Sequence, residues 1–310
     1  VRVAVYGAGG IGAYFGGRLA AAGMDVSLIA RGAHLRALQS DGLHVRSPKG
    51  DVHVALTATD DPAAIGPVDV VLFTVKSQDT AAAARRLGPL LQPDTAVVSL
   101  QNGLGNEETI AAEIGADHTL GGVVYLLSTI SEPGTVVHSA GPATLIFGEL
   151  DGTATERATR LLDALRGAGV DATLSPDVQQ AIWDKFAFIC ALSGMTAAVR
   201  LPIGAIRSEP ASWEMFRDAL REVAAVAAAE GVRLSDEALA RHEAFAQELE
   251  PGMHSSLHYD LTHGKPMELD ALHGELLRRA EAHGVAVPVT RAIVGVLAPW
   301  AARNAAAADA

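Results

Sequence analysis

The opening stretch, Val1-Arg2-Val3-Ala4-Val5-Tyr6-Gly7-Ala8-Gly9-Gly10-Ile11-Gly12-Ala13, restricts the fold more than any other part of the chain. Val1 to Tyr6 reads as a buried strand. Gly7 to Gly12 matches G-x-G-x-x-G, and Ile11 to Ala22 supplies the small and apolar residues of a helix laid against that strand. Gly7 permits the tight turn, Gly9 lets the backbone approach a pyrophosphate, and Gly12 brings helix and strand together. The helix N-terminus then offers unpaired N–H groups and a partial positive charge to the phosphates. A dinucleotide site at Gly7, Gly9, Gly10, Ile11 and Gly12 is the expectation.

Asp25 to Ala30 completes the βαβ unit after the stop Ala22-Gly23-Met24. An acid at the end of that strand would accept hydrogen bonds from an unphosphorylated ribose, but Arg31 stands there and no Asp or Glu lies between Val26 and Ser40. A guanidinium grips a phosphate through a planar fork, which points to NADP(H); the alternative is an Arg31 that ends a strand in solvent.

Further along, Leu43 to Arg46 and Val52 to Thr57 read as a hairpin around Ser-Pro-Lys-Gly-Asp, placed where a helix would otherwise continue the alternation. Val68 to Val75 and Thr95 to Leu100 are buried strands. They deliver Lys76 and Asn102 to the sheet edge where ligands of open α/β sheets collect, although either is also compatible with an ordinary loop residue. Gly121 to Ile130, Thr135 to His138 and Thr144 to Gly148 read as strands without intervening helices, so the sheet is expected to finish in antiparallel or mixed fashion. After a helix at Thr155 to Gly167 and a strand at Val170 to Leu174, alanine-rich helical periodicity takes over. The expected division is an α/β domain over 1–175 and an all-helical domain over 176–310, with a frayed alanine tail from Ala301.

The 310 residues and 49% hydrophobic content suit two domains with sizeable cores. A formal net charge of -12 argues against nucleic acid as a partner. Cys190 is the single cysteine, which excludes an internal disulfide and suits a reducing compartment. The most apolar window, Ala181 to Val199, carries Asp184 and Lys185, so no membrane partner is expected. With no charged-then-apolar leader before Val3, the expected location is cytoplasmic.

Trp183-Asp184-Lys185-Phe186 places a lysine within that apolar helix. Such an ammonium either pairs with Asp184 or another acid at the surface, or loses basicity and becomes able to protonate a developing alkoxide. A second polar cluster runs through His254-Ser255-Ser256-Leu257-His258-Tyr259-Asp260 to Pro266-Met267-Glu268-Leu269-Asp270. Pro266 is read as opening a helix whose first turns hold Glu268 and Asp270, where acids are favourable without any ligand. His254 and His258 are four apart, but no third ligand follows in spacing, so no metal is expected. A nucleophile elbow and a Walker loop are both missing.

As a set these residues resemble the ketopantoate reductase (2-dehydropantoate 2-reductase) family, through Gly7 to Gly12, Arg31, Val75-Lys76-Ser77, Gln101-Asn102-Gly103, Trp183-Asp184-Lys185, Ser255-Ser256, Glu268-Leu269-Asp270 and Leu277-Arg278-Arg279-Ala280. The resemblance implies a Rossmann-like N-terminal domain with a mostly parallel sheet and an all-α C-terminal domain of the 6-phosphogluconate dehydrogenase C-terminal-like kind, with a cleft between them. It implies NADPH as cofactor and a small 2-oxo acid as substrate, with a homodimer as a possible assembly. Lys185 then resembles the family's general acid and Glu268 the acid that bonds the substrate hydroxyl and cofactor ribose region. Ser256 resembles the holder of the substrate carboxylate, Asn102 the asparagine beside the nicotinamide, and Arg31 with Lys76 the groups near the adenosine-side phosphates.

Family members carry asparagines four and eight residues after the lysine, where this chain has Ile189 and Ser193. Ser193 is taken as a substrate contact, and the missing amides put the substrate's identity more in question than the reaction type. Two rival readings are a reductase of another carbonyl or an imine, and a non-catalytic NADP(H) sensor.

Overall fold

A computed structural model of the chain describes residues 1–308. It divides into two units. The first comprises 1–101 and 105–181, and the second comprises 102–104 and the described residues from 182 onward.

The first unit is built on strands β1 (Arg2–Tyr6), β2 (Asp25–Ile29), β3 (Leu43–Arg46), β4 (Val52–Val54), β5 (Thr57–Thr59), β6 (Val70–Phe73), β7 (Ala96–Ser99), β8 (Thr119–Glu132), β9 (Thr135–Glu149) and β10 (Asp171–Leu174). Helices α1 (Gly10–Ala21), α2 (Gly32–Asp41), α3 (Thr80–Ala84), α4 (Asn106–Ile114) and α5 (Glu156–Gly167) connect them. The strand order is β4-β3-β9-β8-β7-β6-β1-β2-β5, with β10 beside β9. From β5 through to β8 every pairing is parallel, and β1 is the point of reversal, with Val3 opposite Val26 of β2 on one side and Val70 of β6 on the other. Beyond β8 the sheet turns mixed, as the β8–β9 pair is antiparallel. Val3, Val5, Leu28, Val70 and Leu72 are buried because α1 and its neighbours cover these strands.

Four sequence-based expectations change here. Gly32 to Asp41, left without an element, is a helix that buries only Leu35 and Leu38. The stretch Val52 to Thr57 is not one strand: it ends at Val54, and Thr57 starts β5, which pairs in parallel with β2. Thr135–Glu149 is a single strand rather than two, because Gly141 (φ 87°) and Ala143 (φ 57°) take left-handed backbone in an irregular stretch without ending the pairing with β8. The unit boundary falls after Ala181 rather than Ser175.

The second unit contains most of α6 (Val178–Val199), followed by α7 (Ile203–Ser208), α8 (Pro210–Ala229), α9 (Asp236–Glu248), α10 (Ser256–Thr262), α11 (Glu275–His283) and α12 (Pro288–Ala308). By length and composition α6 could cross a membrane, but 67% of its apolar window is buried inside the structure, as in a core helix. The buried Glu222 of α8 accepts from Val289 N, Thr290 N and Thr290 Oγ1, so it caps the N-terminus of α12. The tail expected to fray is helical to Ala308, with Asn304 buried and its amide on the carbonyls of Asp260 and Lys265. The helix expected to start at Pro266 instead begins after Glu268 with a π turn, Asp270–Gly274.

Candidate functional site

The reversal of strand order at β1 opens a crevice beyond the C-terminal ends of β1 and β6, and a cavity of about 350 Å³ lies there. Its walls include Gly7, Gly9, Arg31, His34, Thr74 and Lys76. Gly7 has φ 99°, and Thr74 at the end of β6 donates its hydroxyl to the Gly7 carbonyl at 2.5 Å, which pins the turn. A Cβ on Gly12 would lie 2.5 Å from the same carbonyl oxygen, so only glycine lets α1 start this close to β1. No side chain caps α1 at Gly9 and its first turn carries no acid, which leaves the orphan N–H groups and the positive dipole end for an anion.

Gly10 and Ile11 form the first turn of α1, and each also packs against the protein. A Cβ on Gly10 would run into the Ser128 carbonyl of β8, so this glycine gives passage to protein backbone, and Ile11 packs on the sheet core. Arg31 is the exposed N-cap of α2, and Lys76 opens the turn after β6; both line the cavity. The same walls hold Tyr6, Thr74, His34 and Asp79, which sequence reasoning missed. Tyr6 and Thr74 were findable, since β1 and β6 end at the reversal point. Burial raises the Tyr6 phenol above its ordinary value, against the pull of Arg86 and Arg31.

In the second unit, Lys185 of α6 donates to Asn102 Oδ1 at 2.7 Å, a contact between residues 83 apart in sequence. The lysine is half-buried, and desolvation brings its ammonium from 10.5 down to about 8. Asp184 is not its partner. That carboxylate meets His242 Nε2 at 3.1 Å instead. Asn102 arrives on the loop after β7, whose Gln101 turns inward to donate to the Val75 carbonyl and to Thr80 Oγ1. Gln101 thereby fixes the base of the loop that carries Asn102.

The remaining candidates belong to the same unit. Ser255 caps α10 by accepting from His258 N, and its hydroxyl pairs with Thr196 Oγ1 at 2.7 Å, whereas Ser256 is exposed in the first turn. Glu268 is half-buried just ahead of the π turn, a distortion that often marks functional positions. Ser193 is 4% exposed, with its hydroxyl 3.5 Å from the Cys190 carbonyl of its own helix. Arg278 and Arg279 serve structure, paired with Asp270, Glu275 and Glu230. Among the described residues no cluster of His, Cys, Asp or Glu is arranged to hold a metal ion.

The arrangement can therefore hold a dinucleotide in one unit and present a proton-bearing amine in the other. Comparison with known proteins agrees in both units. The family model described as ketopantoate reductase PanE/ApbA matches residues 3–152, and its C-terminal counterpart matches residues 177–300. A 2-dehydropantoate 2-reductase of Halobacterium salinarum is 34% identical, with 96% of this chain and 98% of that protein covered. Among solved structures, a PanE/ApbA family ketopantoate reductase from Ralstonia eutropha superposes with a TM-score of 0.90 at 34% identity over 98% of this chain and 99% of that one. A 2-dehydropantoate 2-reductase from Geobacter metallireducens gives 0.89 at 31% identity over 96% and 99%. The chain belongs to the ketopantoate reductase family and is an NAD(P)H-dependent oxidoreductase acting on CH–OH groups.

Proposed function

We propose that the protein reduces 2-dehydropantoate, or a closely related branched 2-oxo acid, to the 2-hydroxy acid, with NADPH as reductant, in the cytoplasm. The observation that carries the proposal is the half-buried Lys185 ammonium, held by Asn102 at 2.7 Å and softened to about 8. The residues present suit the cofactor: a glycine turn with open N–H groups, no acid at the end of β2, and Arg31 and Lys76 for the adenosine-side phosphates. When bound, the cofactor supplies a hydride to the carbonyl carbon. As that C–H bond forms, the carbonyl π pair moves onto oxygen, and Lys185 gives its Nζ proton to this oxygen and becomes a neutral amine. Asn102 aims the ammonium through its Oδ1. Ser256 holds the substrate carboxylate, and Glu268 accepts a hydrogen bond from the hydroxyl that is formed.

A second reading concerns the substrate. With Ile189 where the family has an amide, and the Ser193 hydroxyl turned to its own helix, this side of the site is less polar, which favours a 2-oxo acid with a more apolar side chain. The reading of Lys185 is tested by Lys185→Ala. NADPH binding, followed by fluorescence, is expected to stay within about threefold of wild type while kcat falls at least about a hundredfold. Turnover within a few-fold of wild type overturns the assignment.

A further inference from the structure

His34 is the one histidine in the wall of the dinucleotide cavity, and the reading above gives it no part. It stands in the first turn of α2, three residues after Arg31. Its Nδ1 accepts the backbone N–H of Gly134, at the turn between β8 and β9, at 3.0 Å. A ring that accepts at Nδ1 carries its proton on Nε2 when neutral. That Nε2 is buried without hydrogen-bonding geometry to any protein group, and Ala8 lines the same cavity wall. Burial lowers the ring's basicity and the Ala8 backbone partly restores it, the sign expected of a carbonyl near the ring's proton. Ala8 lies between Gly7 and Gly9 in the turn that must aim its amides at a pyrophosphate.

We propose that His34 is a positioning residue for the dinucleotide: its ring is a strut between the β8–β9 turn and the Ala8 carbonyl, and it holds the glycine turn in its phosphate-binding conformation. The inference rests on this cavity being the dinucleotide site. Burial lowers the ring's pKa from 6.5, so the strut is neutral and intact at pH 7. The titratable and charged groups around it are Tyr6, Arg31, Lys76 and Asp79 in the cavity wall, with Glu132 and Arg46 paired near the β8–β9 turn.

Three variants separate the two ends of the strut. His34→Asn keeps an acceptor near Nδ1 but loses the donor toward Ala8; His34→Gln keeps a donor near Nε2; His34→Ala loses both. Dissociation constants for NADH and NADPH, with kcat at saturating cofactor, are the readouts, and thermal melts confirm folding. The proposal expects affinity for both cofactors to fall about fivefold or more in His34→Ala and His34→Asn, and to be held within about twofold in His34→Gln, with kcat little changed. Wild-type NADH affinity should weaken as pH falls below 6.5, because protonation takes the Nδ1 lone pair from Gly134, and His34→Gln should show no such trend. NADH is the probe for the pH series because it lacks the 2′-phosphate, which itself titrates near about pH 6. A smaller loss in His34→Ala, a rescue by Asn rather than Gln, or a kcat that falls in step overturns the strut. Failure of the wild-type protein to bind either cofactor removes the dinucleotide reading and the strut with it.

Discussion

Replacing Lys185 by methionine is expected to make the protein more stable while it abolishes turnover. Folding moves this ammonium from 10.5 to about 8 through desolvation, and at about 1.4 kcal/mol per pH unit the folded state gives up about 3.5 kcal/mol to keep the charge. The pH course follows from the sign of the shift. Below pH 8 the lysine is charged in both states and the full penalty applies. Between 8 and 10.5 the native protein loses its proton first, so the unfolded chain binds more protons and stability rises with pH. Above 10.5 both states are neutral and the penalty is gone. Methionine fills nearly the same volume without charge, but it gives up the hydrogen bond to Asn102 Oδ1, which takes back about 1 kcal/mol. Lys185→Met should therefore be about 2.5 kcal/mol more stable than wild type at pH 7, and the advantage should vanish or reverse by pH 10.5. Chemical denaturation of both proteins at several pH values measures the gap. A gap that does not change with pH between 7 and 10.5 would refute the desolvated ammonium.

Two further outcomes follow from the cavity. Arg31→Ala should raise KM for NADPH by about ten- to a hundredfold and leave KM for NADH nearly unchanged, since one charge-assisted grip on a phosphate is lost; equal effects on the two cofactors would make Arg31 an ordinary strand end. Gly10→Ala should destabilise the protein by about 1–3 kcal/mol by driving a methyl into the Ser128 carbonyl, even in the absence of cofactor, and a melting temperature equal to wild type would contradict that packing.

What the sequence disclosed follows from the range of the interactions involved. The first strand, turn and helix were legible because local rules govern them: an apolar run, a glycine that must take φ 99°, and a helix start without a cap. Helix α2 escaped because Leu35 and Leu38 are its only buried residues, too few to make a periodic signal. Gly141 and Pro142 read as a turn, yet the long register with β8 absorbs them as an irregularity, something pairing decides and composition does not. Grouped by contacts, α6 begins in one unit and continues in the other, and Asn102–Leu104 goes with the second unit although its neighbours in sequence lie in the first, neither of which composition can show. For Lys185, periodicity alone left Asp184 as the natural partner, and only the fold brings Asn102 to it across 83 positions. The family resemblance named both residues, and their meeting is a property of three dimensions. His34 carried no motif, and its place between the Gly134 and Ala8 backbones is visible only in the structure.

The central claim is that a softened lysine ammonium delivers the proton during reduction. Its most direct measurement is the pH dependence of kcat/KM for 2-oxo acid reduction at saturating NADPH, which reports the protonation state of the enzyme before the acid binds. The account predicts a plateau that breaks near pH 8 and then falls about tenfold per pH unit, with the break lost along with turnover in Lys185→Met. A profile that stays level through pH 9.5, toward the 10.5 of an ordinary lysine, would contradict it.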